Sequence, residues 1–234
     1  MDGVDHERFQ AIFLAAAELD VPLYIHPGVP PRAVRDASYS GFGPMTVLLL
    51  ATGGWGWHAE AGLAALRVIL AGTFDRHPNL QLILGHMGEM LVSFADRADA
   101  LTKTTHLQRS VLDCILRPRE NPKTSHLRNA AEIRIDSPAD VRVLTWTEYI
   151  TGNIYATPGG LFSHRMLRQV LDILGPDRVI FAVDDPYNGA LGQHGEEAPR
   201  PGFCRDFIET APIGAEEKSK LAHLNAERLL LARR

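Results

Sequence analysis

The chain has 234 residues and a formal net charge of −4, with 45% hydrophobic and 22% charged residues. This length suits one α/β domain, and the ordinary composition excludes a disordered or fibrous protein. Basic and acidic residues are interspersed, so we expect no surface for nucleic acid or for an anionic membrane.

The two cysteines, Cys114 and Cys204, lie far apart and outside any CxxC pattern. They give no support for a disulfide framework or a thiolate zinc site. No apolar stretch reaches the roughly 18 residues that a membrane-spanning helix needs, and the segment MDGVDHERFQ lacks the order of a signal peptide. We therefore expect a cytoplasmic protein that does not bind membranes.

The first predicted unit is a helix followed by a strand. Apolar side chains at helical spacing predict an amphipathic helix over residues 5–19, with Asp5 as its N-cap and Ile12 and Leu19 on its apolar face. The segment VPLYIHPG then predicts a strand that ends at His26.

The second unit repeats this order. Residues 29–57 are rich in turn formers and predict a loop, and residues 58–75 predict one long helix with Leu63 and Leu70 on its apolar face, stopped by Pro78. The segment LQLILGHMGE predicts a buried strand with a polar end, and residues 90–103 predict a further helix.

The remainder continues the alternation after an interruption. Residues 103–145 are polar and contain prolines, and they predict an insert or lid. Residues 149–160 predict a third strand, 163–175 a helix, 177–183 a fourth strand, and 215–232 a closing helix. Four strands joined by helices imply a parallel sheet, because parallel neighbours need a crossover connection.

Polar residues follow each predicted strand, and in parallel α/β folds ligands bind at these carboxyl ends. Two imidazoles and several carboxylates at one edge suit a divalent metal such as zinc or manganese. The strand-end residues are His26, then His86 with Glu89, then Thr157 with Gly159 and Gly160, then Asp184 with Asp185.

Each candidate also has a structural reading. His26 suits a strand-capping histidine as well as a ligand. For His86 the functional reading is favoured, because neighbouring glycines permit close backbone approach and Glu89 could fix the imidazole tautomer. Asp184 ends a buried strand, where an unpaired charge is costly, although an Asx-turn before Pro186 is the alternative.

Other polar and aromatic residues give weaker signals. His58 and Glu60 could reach a cleft, but the first turn of a helix explains them equally well. Asn225 is expected to bond locally near the final helix. The chain has no GxSxG, GxxxxGK[ST] or HExxH motif and no GxGxxG after a strand, so the corresponding chemistries lack support.

The segment GWGWHAEAGLAALRVILAGTFDRHPNLQLILGHMGE, with YIHPG, VIFAVDDPY and NAERLL, resembles the amidohydrolase-related decarboxylases. This family includes the γ-resorcylate, 2,3-dihydroxybenzoate and aminocarboxymuconate semialdehyde decarboxylases, and the resemblance covers most of the chain outside residues 103–145. It implies a TIM (β/α)8-barrel with one catalytic divalent metal, Zn²⁺ or Mn²⁺.

The resemblance also assigns roles to residues. It implies that His26 and Asp184 bind the metal at the ends of strands five and eight, and that His86, with Glu89 beside it, is catalytic at the end of strand six. His86 is also a third candidate ligand. Where the family often has an aromatic residue after the aspartate, this chain has Asp185.

The family's strand-one ligands have no counterpart, because the chain opens on the helix before strand five. Residues 1–234 are therefore expected to form a single partial-barrel domain, strands five to eight plus the insert, with an incomplete ligand set. A truncated gene model or a fragment is the expected explanation. The alternatives are a half-barrel that pairs with its own copy and an inactive relative.

The resemblance implies a metal-dependent carboxy-lyase acting on a small hydroxylated aromatic or unsaturated carboxylic acid. The metal would hold the substrate carboxylate, and Asp184 or the His86–Glu89 pair would deliver a proton to the carbon that loses CO₂. One alternative is metal-assisted hydrolysis of a lactone or amide. Another is an inactive remnant that serves as a binding or oligomerisation module. A small carboxylic acid and further copies of the chain are the expected partners.

Overall fold

The structure, a computed structural model, describes residues 3–102, 145–185 and 202–231. Apart from residue 145, the predicted insert or lid lies outside the described residues. Whether residues 1–234 form one domain stays a prediction.

The predicted first helix is present but begins differently. A 3₁₀ turn over Glu7–Phe9 leads into helix α1, Gln10–Glu18, which is followed by strand β1, Leu23–Ile25. Asp5 does not cap the helix, contrary to the sequence expectation, because its carboxylate accepts two hydrogen bonds from the Arg67 guanidinium, at 2.6 and 2.9 Å.

The segment after β1 contains two helices where only a loop was predicted. Helix α2 covers Arg32–Ser38, and helix α3 covers Pro44–Ala51 with Pro44 in its first turn. Proline is well tolerated there, because the first N–H groups of a helix have no intrahelical partner. The count of turn formers therefore misled the prediction.

The predicted long helix is divided in two. Helix α4 covers Gly56–Leu70 and helix α5 covers Thr73–Arg76, because Gly72 between them has a φ of +66°, in the left-handed region. The predicted apolar face is partly wrong, since Leu63 and Leu70 are exposed, whereas its other members Ile69 and Phe74 are buried. Strand β2, Leu82–Leu84, follows.

A 3₁₀ turn, Val92–Phe94, leads into helix α6, Ala95–Thr102. The predicted third strand begins too early, because a capping box of Thr145 and Glu148 starts helix α7, Trp146–Asn153, and leaves only Ile154–Ala156 as strand β3. The remaining elements are α8 (His164–Leu174), a 3₁₀ turn (Pro176–Arg178), α9 (Phe203–Thr210), α10 (Ala215–Ser219), one turn of π-helix (Lys220–Leu224) and α11 (Asn225–Leu230).

The three strands form a parallel sheet in the order β1-β2-β3, with Ile25 opposite Leu84 and Leu84 opposite Ala156. The prediction of four strands is wrong for the described residues. Only a single parallel bridge joins Val179 to Ala156, because the chain then leaves the sheet and the Phe181 N–H donates to the Leu221 carbonyl of the closing helical segment.

Successive side chains of the strands point to opposite faces of the sheet, and each face is covered by a packed layer. One layer is the main core against α1, α4 and α8, and the other is a small cluster in which Leu229 of α11 covers Ile83 and Tyr155. Asn225 is buried, and its amide donates to the Pro176 and Val179 carbonyls, at 2.7 and 2.8 Å. Its side-chain oxygen also accepts from Arg228 at 3.3 Å, so the expected local bond is present beside two long-range ones. No helix in the described ranges is both long and apolar enough to cross a membrane.

Candidate metal centre and proton-transfer site

His26, His86 and Asp184 converge beyond the carboxyl ends of the strands. The His26 Nε2 lies 3.3 Å from Asp184 Oδ1, and the His86 Nε2 lies 3.5 Å from Asp184 Oδ2. The centroids of the two imidazole rings are 5.8 Å apart. Parallel pairing of β1 with β2 brings the two histidines together, because each follows its strand by one or two residues.

A left-handed turn presents His86 and Glu89 to this site. Five consecutive residues, 86 to 90, have φ values between +44° and +88°, and only Gly88 among them is a glycine. The Gly88 N–H donates to the Gly85 carbonyl at 2.7 Å, and the Met87 N–H donates to the Thr157 carbonyl at 2.8 Å. Non-glycine residues at positive φ are strained, and Asp184 also has a φ of +63°.

Glycines allow the elements around this turn to approach closely. A Cβ at Gly62 of α4 would overlap the backbone carbonyl oxygen of Glu89. A Cβ at Gly85 would lie 3.1 Å from Glu89 Oε1 and 3.2 Å from the Tyr24 hydroxyl. The close approach expected at Gly85 is therefore present.

The Glu89 carboxylate is fully buried, and each of its oxygens contacts one imidazole. Oε1 lies 2.6 Å from the His86 Nδ1, and Oε2 lies 2.8 Å from the His58 Nδ1. Burial alone would raise the pKa of Glu89, but the hydrogen bonds with His58 and His86 outweigh it and hold the pKa below its ordinary value. A carboxylate with no exposed surface is tolerated here because both oxygens have partners.

The electrostatics of His86 result from opposing contributions. Burial alone would lower the pKa of His86, but the hydrogen bond and charge of Glu89, together with Asp184, outweigh it and raise the pKa above its ordinary value. Glu89 is thus the hydrogen-bond partner of His86, as the sequence predicted.

His58 and Tyr24 adjoin the site, and sequence reasoning did not assign either to it. The His58 Nε2 lies 3.0 Å from the Gly53 carbonyl, and its ring packs edge-on against His86 with centroids 4.8 Å apart. The Tyr24 hydroxyl lies 3.3 Å from that of Thr157. A histidine in the first turn of a helix after a glycine-rich segment was the only signal for His58, and nothing in the sequence pattern distinguished Tyr24.

The donor set fits a divalent cation. The His26 Nδ1 lies 2.9 Å from the Pro27 carbonyl, which can only accept, so Nδ1 carries the proton of a neutral imidazole and Nε2 directs a lone pair towards Asp184. A lone pair and a carboxylate repel each other unless a proton or a metal cation lies between them. One ligand atom each from His26, His86 and Asp184 lies within 4.8 Å of the others, and nitrogen and carboxylate donors suit zinc or manganese.

A second trio, His58, His86 and Glu89, also satisfies this distance. Its nitrogen–oxygen contacts, 2.6 and 2.8 Å, are those of direct hydrogen bonds, so protons already occupy the spaces between its atoms. The trio that includes Asp184 is therefore the better candidate for a metal.

Comparison with known proteins agrees with the resemblance seen in the sequence. Residues 2–231 match the family model described as amidohydrolase. The chain is 30% identical over 230 residues to Decarboxylase orsB of Emericella nidulans, covering 98% of this chain and 57% of that protein. It is 28% identical over 230 residues to the gamma-resorcylate decarboxylase of Rhodococcus jostii, covering 96% of this chain and 54% of that protein.

A solved structure is similar as well. The 5-carboxyvanillate decarboxylase of Novosphingobium aromaticivorans, complexed with manganese and 4-hydroxy-3-methoxy-5-nitrobenzoic acid, superposes with a TM-score of 0.70 at 25% identity. The match covers 97% of this chain and 53% of that one. The chain thus spans about half the length of the relatives it matches, and its three-stranded parallel sheet is consistent with part of a barrel.

Proposed function

The chain belongs to the amidohydrolase family, and from this premise we propose that it carries the metal- and proton-handling part of a metal-dependent carboxy-lyase. The substrate would be a small hydroxylated aromatic carboxylic acid. One observation carries the proposal: His26 and Asp184 face each other across a gap that suits a cation, beside a buried His86–Glu89 pair. The decarboxylases that this chain resembles support the same reaction.

His26 and Asp184 are the residues that would hold the metal. The His86 Nε2 lies within the same reach but would carry the proton instead of binding the ion. When bound, a divalent metal supplies Lewis-acid polarisation of a carboxylate and its neighbouring oxygen. In the proposed barrel segment, His26 and His86 follow strands β1 and β2, and Asp184 follows the segment that bridges to β3 at Val179.

His86 would supply the proton. Loss of CO₂ breaks the bond between the ring carbon and the carboxyl carbon and leaves its electron pair on the ring carbon, which must then accept a proton. The imidazolium of His86 can donate this proton from Nε2, which faces the metal-binding side chains, while Glu89 holds Nδ1 on the buried side. Glu89 thereby orients the ring and stabilises its positive charge.

The proposal is tested by supplying Mn²⁺ or Zn²⁺ and a panel of 2-hydroxybenzoates and measuring CO₂ and the corresponding phenol. We expect CO₂ release that is abolished by His86→Ala or Asp184→Ala and retained by His223→Asn, which changes a surface histidine paired with Glu227. Near-normal rates in the first two variants would refute the assignment of roles.

Two further outcomes separate the alternatives. Release of acid from a lactone or amide without CO₂ would indicate a metal-dependent hydrolase on the same fold. Bound zinc or manganese below about a tenth of an equivalent per chain would indicate an inactive remnant that serves as a binding or oligomerisation module.

A further inference from the structure

We propose that His58 is a positioning residue for His86 and acts through Glu89. The consequence for turnover depends on the function proposed above, whereas the arrangement of the three side chains does not. His58 stands outside the set of residues that the strand-end pattern and the family resemblance assign to the site.

The first support is the way the Glu89 carboxylate is shared. Its two oxygens are each engaged by a different imidazole, Oε1 by His86 and Oε2 by His58. Without His58, Oε2 would be a buried acceptor that has lost its partner, and the carboxylate could rotate to offer either oxygen to His86. With His58 in place, one rotamer of Glu89 satisfies both imidazoles, so the plane of the His86 ring is fixed.

The second support is the anchoring of His58 itself. Its Nε2 lies 3.0 Å from the Gly53 carbonyl, while its Nδ1 faces the Glu89 carboxylate. Each ring nitrogen thus faces an acceptor, so the His58 ring cannot turn over without disturbing both contacts. The side chain therefore connects the segment between α3 and α4 to the left-handed turn at residues 86–90.

The third support comes from the backbone. His58 and Gly62 are four residues apart in α4 and so lie on the same face of that helix. Gly62 meets the Glu89 backbone, and His58 meets the Glu89 side chain. A turn with five successive positive φ values is not favoured locally, so contacts from outside must hold it, and α4 provides two of them.

The test uses two matched variants and a surface control. His58→Asn keeps an amide N–H close to the position of Nδ1, whereas His58→Leu removes the donor while roughly preserving side-chain volume. His223→Leu removes a histidine–glutamate contact of the same kind at the surface, far from the site in sequence.

Imidazole proton and nitrogen NMR spectra of the metal-free protein give a readout that needs no turnover, with His86 assigned from the spectrum of His86→Gln. We expect a single, slowly exchanging Nδ1 proton for His86 in the wild type, His58→Asn and His223→Leu. In His58→Leu this signal should broaden or exchange rapidly while the fold, checked by circular dichroism, is retained. An unchanged His86 signal in His58→Leu would overturn the proposal.

Metal stoichiometry and kinetics complete the test. A second equivalent of Mn²⁺ in the wild type that disappears in His58→Leu would show that His58 is a ligand, which also overturns the proposal. In an active protein, kcat should fall about 10- to 100-fold in His58→Leu with little change in KM, and largely recover in His58→Asn. Absence of any decarboxylation by the wild type would refute the proposed function while the NMR result still decides the role of His58.

Discussion

The position of one proton decides what His26 and Asp184 can bind. In a neutral His26, the Nδ1 proton is donated to the Pro27 carbonyl. The lone pair of Nε2 then faces the Asp184 carboxylate, 3.3 Å away. The same two groups would attract each other if His26 were cationic. A divalent ion can bind the Nε2 lone pair and the carboxylate without a second proton on His26. Because Asp184 is the only charged member of this pair, its charge should contribute most to metal affinity.

We therefore expect Asp184→Asn to weaken Mn²⁺ or Zn²⁺ binding by about 100-fold or more, because the amide retains the size of the side chain but removes its charge. Competition against a chelator of known affinity measures the change. The matched control is Asp185→Asn, which alters the adjacent exposed carboxylate and should change the affinity less than about threefold. Equal losses in the two variants would mean that general charge, and not coordination, determines binding.

The sequence predicted part of this residue set. His26, His86, Glu89 and Asp184 each follow an apolar run, and the rule that parallel strands carry ligands at their carboxyl ends groups such residues without any coordinates. His58 begins a helix and Tyr24 lies within a strand, so neither is at a strand end. Which neighbour a helix turn faces depends on packing, and single-sequence periodicity does not encode that.

At the level of elements, α4 and the turn at residues 86–90 lie so close together that position 62 has no room for a Cβ. Gly62→Ala would force the Cβ against the Glu89 carbonyl oxygen, so we expect a loss of about 1–3 kcal/mol in the free energy of unfolding. Urea unfolding measures this loss, and displacement of Glu89 should also weaken metal binding.

Gly152→Ala is the matched control for Gly62→Ala. Gly152 lies inside α7, and a Cβ there would meet nothing within 4 Å. Alanine is the better helix former, so this variant should be unchanged or about 0.5–1 kcal/mol more stable. Equal destabilisation in both variants would show that close packing at Gly62 is not the cause.

Ion pairs link the closing helical segment to the 3₁₀ turn at Pro176–Arg178. Asp177 lies 3.2 Å from Lys220 and 3.3 Å from Arg228, and its hydrogen bond to Lys220 holds the pKa of Asp177 below its ordinary value. A lowered folded-state pKa means that the stabilisation is complete above the unfolded pKa, about 3.9, and is lost as pH falls through the folded value.

Asp177→Asn should therefore lower the unfolding midpoint slightly at pH 7, and the difference from the wild type should shrink on acidification and in high salt, because the groups are largely exposed. Thermal unfolding of both proteins between pH 7 and pH 3 checks this. A difference that grows as pH falls would contradict the assigned direction.

Element boundaries show where sequence reasoning failed. The helix over residues 163–175 was predicted closely, because Ser163 and Gly175 mark its ends chemically. The fourth strand was predicted wrongly. Residues 180–183 are apolar enough for a strand, but the chain makes one bridge at Val179 and then leaves the sheet, where Phe181 bonds to Leu221. Competition between a sheet neighbour and a distant helix is a tertiary effect that strand propensity cannot reveal.

Across the whole molecule, the strand–helix alternation was sufficient to predict a parallel sheet, and the family comparison agrees. It could not predict what covers the outer edge of β1, which has no neighbouring strand among the described residues and whose Tyr24 is 48% exposed. It also could not predict that Ile12 in the preceding helix and Leu19 just after that helix are exposed. Apolar periodicity specifies that a face is buried but not which chain buries it. Homo-oligomer formation stays a prediction.

The proposed metal would join parts of the chain that are distant in sequence, since His26 and Asp184 are separated by 158 residues and follow different segments of the sheet. These side chains are not preassembled in the unfolded chain, so binding energy adds to folding energy. At a free metal concentration about 100 times Kd, the free energy of unfolding should rise by about 2.7 kcal/mol.

Urea unfolding of chelator-treated protein, with and without Mn²⁺, measures this gain. Asp184→Asn should lose the gain and Asp185→Asn should keep it. An undiminished gain in Asp184→Asn would place the stabilising ion elsewhere, because loss of this carboxylate charge should weaken binding at the site formed by His26 and Asp184. The linkage therefore tests whether strand-end side chains from both halves of the chain act as one coordination site.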